Sequence, residues 1–131
     1  MGRDIVAEVH ALLPLAPAFL QILIALGEEE RHGYSIMQEV TERTGGRVRM
    51  SPGTLYGSIK RMLAEGLIEE LTTGGRLRAA GPAARPPAGA DDRRRVYRIT
   101  RFGRRVAAAE ADRLAALLSQ ARSSGLVPRR S

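Results

Sequence analysis

The stretch Ser51-Pro52-Gly53-Thr54-Leu55-Tyr56-Gly57-Ser58-Ile59-Lys60-Arg61-Met62-Leu63-Ala64-Glu65-Gly66 reads as one amphipathic helix with both ends marked. Ser51 suits an N-cap, whose side-chain oxygen accepts a free N–H of the first turn, and Pro52 suits the first helical position, where no N–H is missed. Gly66 is a stop signal. Leu55, Ile59, Met62 and Leu63, at i, i+4, i+7 and i+8, make one inward face. At about 100° per residue, Thr54, Gly57, Ser58 and Arg61 fall on the opposite side, with Tyr56 and Lys60 on the flank. Hydroxyls, a phenol and two cations suit base edges and phosphates. Gly57 permits close approach, at a cost of about 1 kcal/mol against Ala. Any surface helix shows polar residues, but an ordinary solvated one mixes signs, and no acid occurs from residue 45 to 64.

Upstream, Ala18 to Leu26 is apolar except for Gln21, with helical spacing at 19, 22, 23 and 26 and further apolar residues at 20 and 24. That predicts a helix buried on more than one side, ended by Gly27 and Glu28-Glu29-Glu30. His32-Gly33-Tyr34 opens a second helix with Ile36, Met37 and Val40 inward, closed by Gly45-Gly46. The short link to Ser51 lets this helix and the next cross sharply. Downstream, Leu67 to Thr72 and Val96 to Thr100 read as antiparallel strands. The Gly, Ala, Pro and Arg between them cannot build a core, so a long basic loop is expected. Thr100 suits the cap of a last helix. There Ala107, Ala111, Leu114, Leu118 and Ala121, spaced 4, 3, 4, 3, form a short heptad-like seam for dimerisation. The expected fold is mainly α with a small β-hairpin: a winged helix-turn-helix plus a C-terminal dimerisation helix. Residues 1–13 would be an N-terminal arm, 14–100 the winged unit, 101–124 the dimerisation helix and 125–131 a tail. Leu126-Val127-Pro128-Arg129 resembles the protease-site linker of an expression vector, and the tail is set aside.

With 131 residues the chain has room for one domain. Cys is absent, which excludes disulfides, thiolate metal sites and a Cys nucleophile, and two His are too few for a His-based metal cluster. Neither a membrane span nor a secretory signal is visible, and a cytoplasmic location is expected. The net charge is +7, and all cations but Lys60 are Arg. A GC-rich coding genome explains part of the Arg excess, but not its sorting. Residues 45–61 carry +4 and 72–105 carry +8, while the rest of the chain is mildly acidic. Each Arg held near a nucleic-acid backbone displaces condensed counterions, so this concentration fits a phosphate-facing surface.

His32-Gly33-Tyr34, Gly53-Thr54-Leu55-Tyr56, Gly66-Leu67-Ile68 and Arg95-Val96-Tyr97-Arg98-Ile99-Thr100 with Gly103-Arg104 resemble, in combined order and spacing, the PadR family of bacterial transcriptional regulators. The resemblance spans roughly residues 14 to 122 and is closest to the family's compact subgroup. It implies a homodimeric repressor that binds an inverted-repeat operator in double-stranded DNA, with the N- and C-terminal helices making the dimer. It places Tyr34 near the DNA backbone, or half-buried in the core. Ser51, Thr54 and Tyr56 become the leading DNA contacts. Lys60 and Arg61 lie where members often carry basic residues. Tyr97 is implied to pack. His32 matches the family's His, and a hydrogen-bonded helix start is the reading preferred for it over sensing. Gly57-Ser58 departs from the bulkier residues common there, which puts base preference in doubt. Arg76, Arg78, Arg85, Arg93, Arg94 and Arg95 would give the wing loop nonspecific phosphate contacts. Some members bind small-molecule effectors between subunits. This chain lacks Trp, the usual stacking platform for flat cations, so an effector partner stays unidentified and no cofactor is expected.

Two other classes fit less well. A winged helix that binds protein instead of DNA would favour an acidic third helix, and this one is cationic. An enzyme would need a nucleophile with its base, paired carboxylates in a cleft, or metal ligands. The only carboxylate cluster, Glu28-Glu29-Glu30, reads as a solvated helix end.

Overall fold

Three helices start on a side chain that accepts a first-turn N–H. Asp4 takes that of Ala7 at 3.1 Å, Ser51 that of Thr54 at 3.1 Å, and Thr100 that of Gly103 at 2.9 Å. A computed structural model describes residues 4–71 and 95–128. Its elements in chain order are α1 (Ile5–Ala11), α2 (Pro17–Glu28), β1 (Arg31–His32), α3 (Gly33–Arg43), α4 (Pro52–Ala64), β2 (Ile68–Leu71), β3 (Val96–Ile99) and α5 (Arg101–Ser123). The Ser51 cap, the Pro52 start and the Thr100 cap stand where the sequence puts them.

Within the residues read as an arm, Ile5–Ala11 form a capped helix: α1 buries Val9 and packs along α5. The sheet also holds more than a hairpin. Its order is β1-β3-β2, all antiparallel, with Arg31 opposite Tyr97 on one side of β3 and Glu70 opposite Tyr97 on the other. Two residues of β1 give no periodic signal, which is why the sequence did not disclose it. Thr72 and nearly all of the expected loop lie outside the described residues, and with them Arg76, Arg78, Arg85, Arg93 and Arg94.

α2 is the centre of the core. Ile22, Leu23, Ala25 and Leu26 are buried, and the helix packs against α3, α4, α5 and β3. That is the two-sided burial its near-continuous apolar run predicts. Across from it lie Ile36, Val40, Leu55, Ile59, Met62, Leu67, Tyr97 and Val106. α4 ends in a pair of hydrogen bonds, Gly66 N–H to Leu63 O at 3.2 Å and Leu67 N–H to Met62 O at 3.0 Å, with Met62 and Leu67 both buried beneath the turn. α5 then crosses so close that a Cβ on Gly103 would stand 2.1 Å from the Leu67 carbonyl oxygen. The Thr100 hydroxyl donates to the Gly66 carbonyl at 2.6 Å and ties the start of α5 to the same turn.

The end of α2 is closed by Arg31, whose Nε donates to the Ala25 carbonyl at 2.8 Å. Arg31 also faces Glu29 at 3.6 Å and Glu39 at 3.5 Å, and Arg43 faces Glu28 at 3.4 Å. The acidic run read as a solvated helix end is thus exposed, with Glu28 and Glu29 ion-paired. Pairs of this kind add little to stability singly. No described helix is long and apolar enough to cross a membrane.

Candidate nucleic-acid interface

α3 and α4 are joined by residues 44–51, and the turn presents Arg47 and Arg49 to solvent. Arg49 Nε donates to the Gly46 carbonyl at 3.4 Å. Along α4 the buried residues are Leu55, Ser58, Ile59 and Met62, and the exposed ones include Thr54, Gly57, Lys60 and Arg61. Ser51 is exposed too, but its hydroxyl is engaged: it accepts from Thr54 N–H and donates to Thr54 Oγ1 at 3.2 Å. The Arg61 guanidinium lies 5.8 Å from the centroid of the Phe19 ring of α2, a cation–π distance that fixes its direction while leaving it exposed.

Ser58 departs from the sequence reading. It is 8% exposed and lies on the core side of α4, not on the outer face with Thr54 and Arg61. The reason is angular. Counting Leu63 as fully inward turns the assumed face too far round the helix, and Leu63 is only half-buried. The true stripe is Leu55, Ser58, Ile59 and Met62, at i, i+3, i+4 and i+7, a spacing already present in the sequence.

Tyr34, at the start of α3, is 62% exposed, so it is not the half-buried core residue the resemblance also allowed. It lines a groove of about 340 Å³ with Met37, Gln38, Thr41, Glu42, Arg49 and Met50, beside the helix-turn-helix. Tyr56 is half-buried, and its ring lies against Gly33, the first residue of α3. His32 is exposed and caps α3 by backbone position alone; its side chain makes no capping hydrogen bond, so the hydrogen-bonded helix start preferred for it does not form. Tyr97 is fully packed, as expected. Burial, with the Glu70 carboxylate added to it, pushes its phenol up to about 12. Arg95, expected on phosphate, turns to the sheet and faces Glu70 at 3.6 Å. Among the described residues no cluster of His, Asp or Glu could hold a metal ion.

The C-terminal seam divides. Ala107 packs against the core, whereas Ala111, Leu114 and Leu118 are exposed and Ala121 is half-exposed. Leu117, which the heptad reading passed over, is 47% exposed beside Leu114 and Leu118 at 40% and 42%. Its i+3 spacing from Leu114 was the available signal. Glu110 was also missed. It is buried and held bidentate by Arg113, with both N–O distances 2.8 Å. Hydrogen bonding from Arg113 first, then from the Leu15 backbone, keeps its carboxyl below the usual range despite burial.

Residues 22–80 match the model of the transcriptional regulator PadR-like family. Among solved structures, the chain is similar to a transcriptional regulator from Clostridium thermocellum, with 18% identity, a TM-score of 0.62, and 94% of this chain and 96% of that one covered. It is also similar to H. salinarum RosR, with 26% identity, a TM-score of 0.54, and 83% and 79% covered. The first of these likenesses is one of fold alone. No curated protein matches the chain.

Proposed function

We propose that this chain, whose residues 22–80 match the PadR-like family of transcriptional regulators, is a member of that family, binds an inverted-repeat operator in double-stranded DNA as a homodimer and represses transcription. One observation carries the reading. The acid-free stretch 45–64 folds so that Arg47, Arg49, Thr54, Gly57, Lys60 and Arg61 are exposed along one turn and helix, while Leu55, Ile59 and Met62 anchor that helix in the core. A solvent-facing cationic surface without acids favours a polyanion, and the hydroxyl of Thr54 can select among base edges. α4 is the helix that enters the major groove, with residues 14–100 as the binding unit.

The exposed leucines of α5 supply the second requirement. Leu114, Leu117 and Leu118 within one helical turn suit an isologous contact with a second copy, with residues 101–124 as the dimerising unit. Two-fold symmetry then sets half-sites about 34 Å apart, or a multiple of that. Such a role belongs in the cytoplasm and calls for no cofactor.

Fluorescence anisotropy with a duplex carrying the promoter region upstream of its own gene tests the reading. Affinity should fall steeply with added salt, and Arg61→Ala should weaken binding even at low salt. A flat salt response would sink the proposal.

A further inference from the structure

Tyr56 and Arg95 both count as DNA contacts on sequence grounds, and both turn away from the face that carries Thr54, Lys60 and Arg61. The Tyr56 ring occupies the space next to Gly33. A Cβ at that position would come within 2.6 Å of Tyr56 Oη, 2.8 Å of Cε1 and 3.0 Å of Cζ. Gly33 is itself buried and follows directly on β1, which is hydrogen-bonded to β3 at Val96 and Tyr97. Tyr97, buried in the middle strand, accepts a hydrogen bond from Arg95 and lies within electrostatic reach of Glu70 and of Tyr56. Arg95 in turn faces Glu70 across the β2–β3 pair. Tyr97, Arg95 and Glu70 therefore sit together on the sheet, and Tyr56 is tied to them through Gly33 and β1. This arrangement joins α4 to the start of α3 and to the base of the wing, where β2 leaves the core and β3 returns.

We propose that Tyr56 and Arg95 are positioning residues: through Gly33 on one side and the Tyr97–Glu70 pair on the other, they fix the angle of α4 against the three-stranded sheet, so that α4 meets a duplex in one orientation. This rests on the DNA-binding reading above. It assigns these residues the setting of geometry, and leaves base and phosphate contact to Thr54, Lys60, Arg61 and the turn arginines. The arrangement suits that work because it is polar and closes over the buried Tyr97 and Gly33 with the half-buried Tyr56, Glu70 and Arg95. Hydrogen bonds between such groups admit few arrangements, whereas an apolar contact slides.

The test is a double-mutant cycle on duplex affinity, with thermal melting of each variant to establish that it is folded at the assay temperature. Gly33 has ordinary helical geometry, so Gly33→Ala leaves the helix intact and acts by displacing the Tyr56 ring. Gly33→Ala should weaken binding by about tenfold in the wild-type background. In a Tyr56→Ala background, where the ring is gone, it should change binding less than about twofold, well inside the usual coupling range. Should Tyr56→Ala fail to fold, Tyr56→Leu replaces it. Arg95→Ala should lower affinity without altering the slope of log affinity against log salt. Lys60→Ala should flatten that slope by about 0.9, the signature of one lost phosphate contact. Equal losses from Gly33→Ala in both backgrounds, or a slope flattened by Arg95→Ala, would overturn the inference and leave the DNA-binding reading standing. A wild-type chain that binds no duplex would overturn both.

Discussion

α4 and the distal half of α5 carry apolar residues at the same three- and four-residue spacing, and the fold uses them in opposite ways. In α4 the stripe is consumed internally: Leu55, Ile59 and Met62 are buried against α2 and β2, and what faces water is cationic and hydroxyl-bearing. In α5 the proximal part is consumed too, with Gly103, Val106 and Glu110 buried, but beyond residue 110 no α5 residue is buried among the described residues. Leu114, Leu117 and Leu118 stay exposed. Periodicity alone does not separate core from interface; the supply of covering surface does. One helix thus shows charge to solvent and the other shows apolar area, the two surfaces that the proposed dimeric DNA-binding role requires.

The largest effect expected bears on the uncovered leucines. Leu114→Glu combined with Leu118→Glu should raise the dimer dissociation constant by about a thousandfold, since a two-fold interface loses four leucines, each with about 1 kcal/mol to gain from burying its exposed part. Sedimentation should show monomers whose helicity matches the parent. If the distal half of α5 were merely a solvated tail, sedimentation would not change.

The proximal half should respond in stability. Gly103→Ala sets a methyl group against the Leu67 carbonyl, and chemical denaturation should show a loss of about 3 kcal/mol, the upper part of the overpacking range. Glu110→Gln removes one charge from the Arg113 pair and should cost about 2 kcal/mol at neutral pH. Here the sign of the pH dependence is fixed. The folded carboxyl titrates below its unfolded value, so its contribution is complete above the ordinary carboxylate pKa of about 4.3 and disappears as pH falls through the folded value. The gap between parent and Glu110→Gln stability should therefore close in acid. A gap that persists at low pH would show that packing, not charge, holds residue 110.

The smallest effect separates the two faces of α4. Thr54→Ala should weaken duplex binding by about fivefold, roughly 1 kcal/mol, whereas Ser58→Ala should leave it unchanged. A loss at Ser58 would put the outer face of the helix in the wrong place.

Much of the fold was legible because its signals are local. Ser51-Pro52, Thr100, Gly66 and the stripes of α2, α3 and α4 depend on neighbours within a turn or two. The exposure of Thr54, Lys60 and Arg61 was legible for the same reason. Ser58 was misplaced by about a quarter-turn, because one half-buried residue, Leu63, shifted the apparent centre of the stripe. Arg95 looked like another member of an arginine run, and its partner Glu70 lies twenty-five positions away in sequence, a relation that only strand pairing discloses.

From the sequence alone came the order of elements, the ends of the long helices and the sorting of charge, since helix caps, hydrophobic period and net charge are properties of short segments. The tertiary structure alone decided that Arg31-His32 joins the sheet, that α1 lies on α5, that Gly33 seats the Tyr56 ring and that three leucines of α5 go uncovered. Each of these depends on which distant surfaces meet, and a chain meets its distant parts only once folding has met the entropy of closing the loops between them.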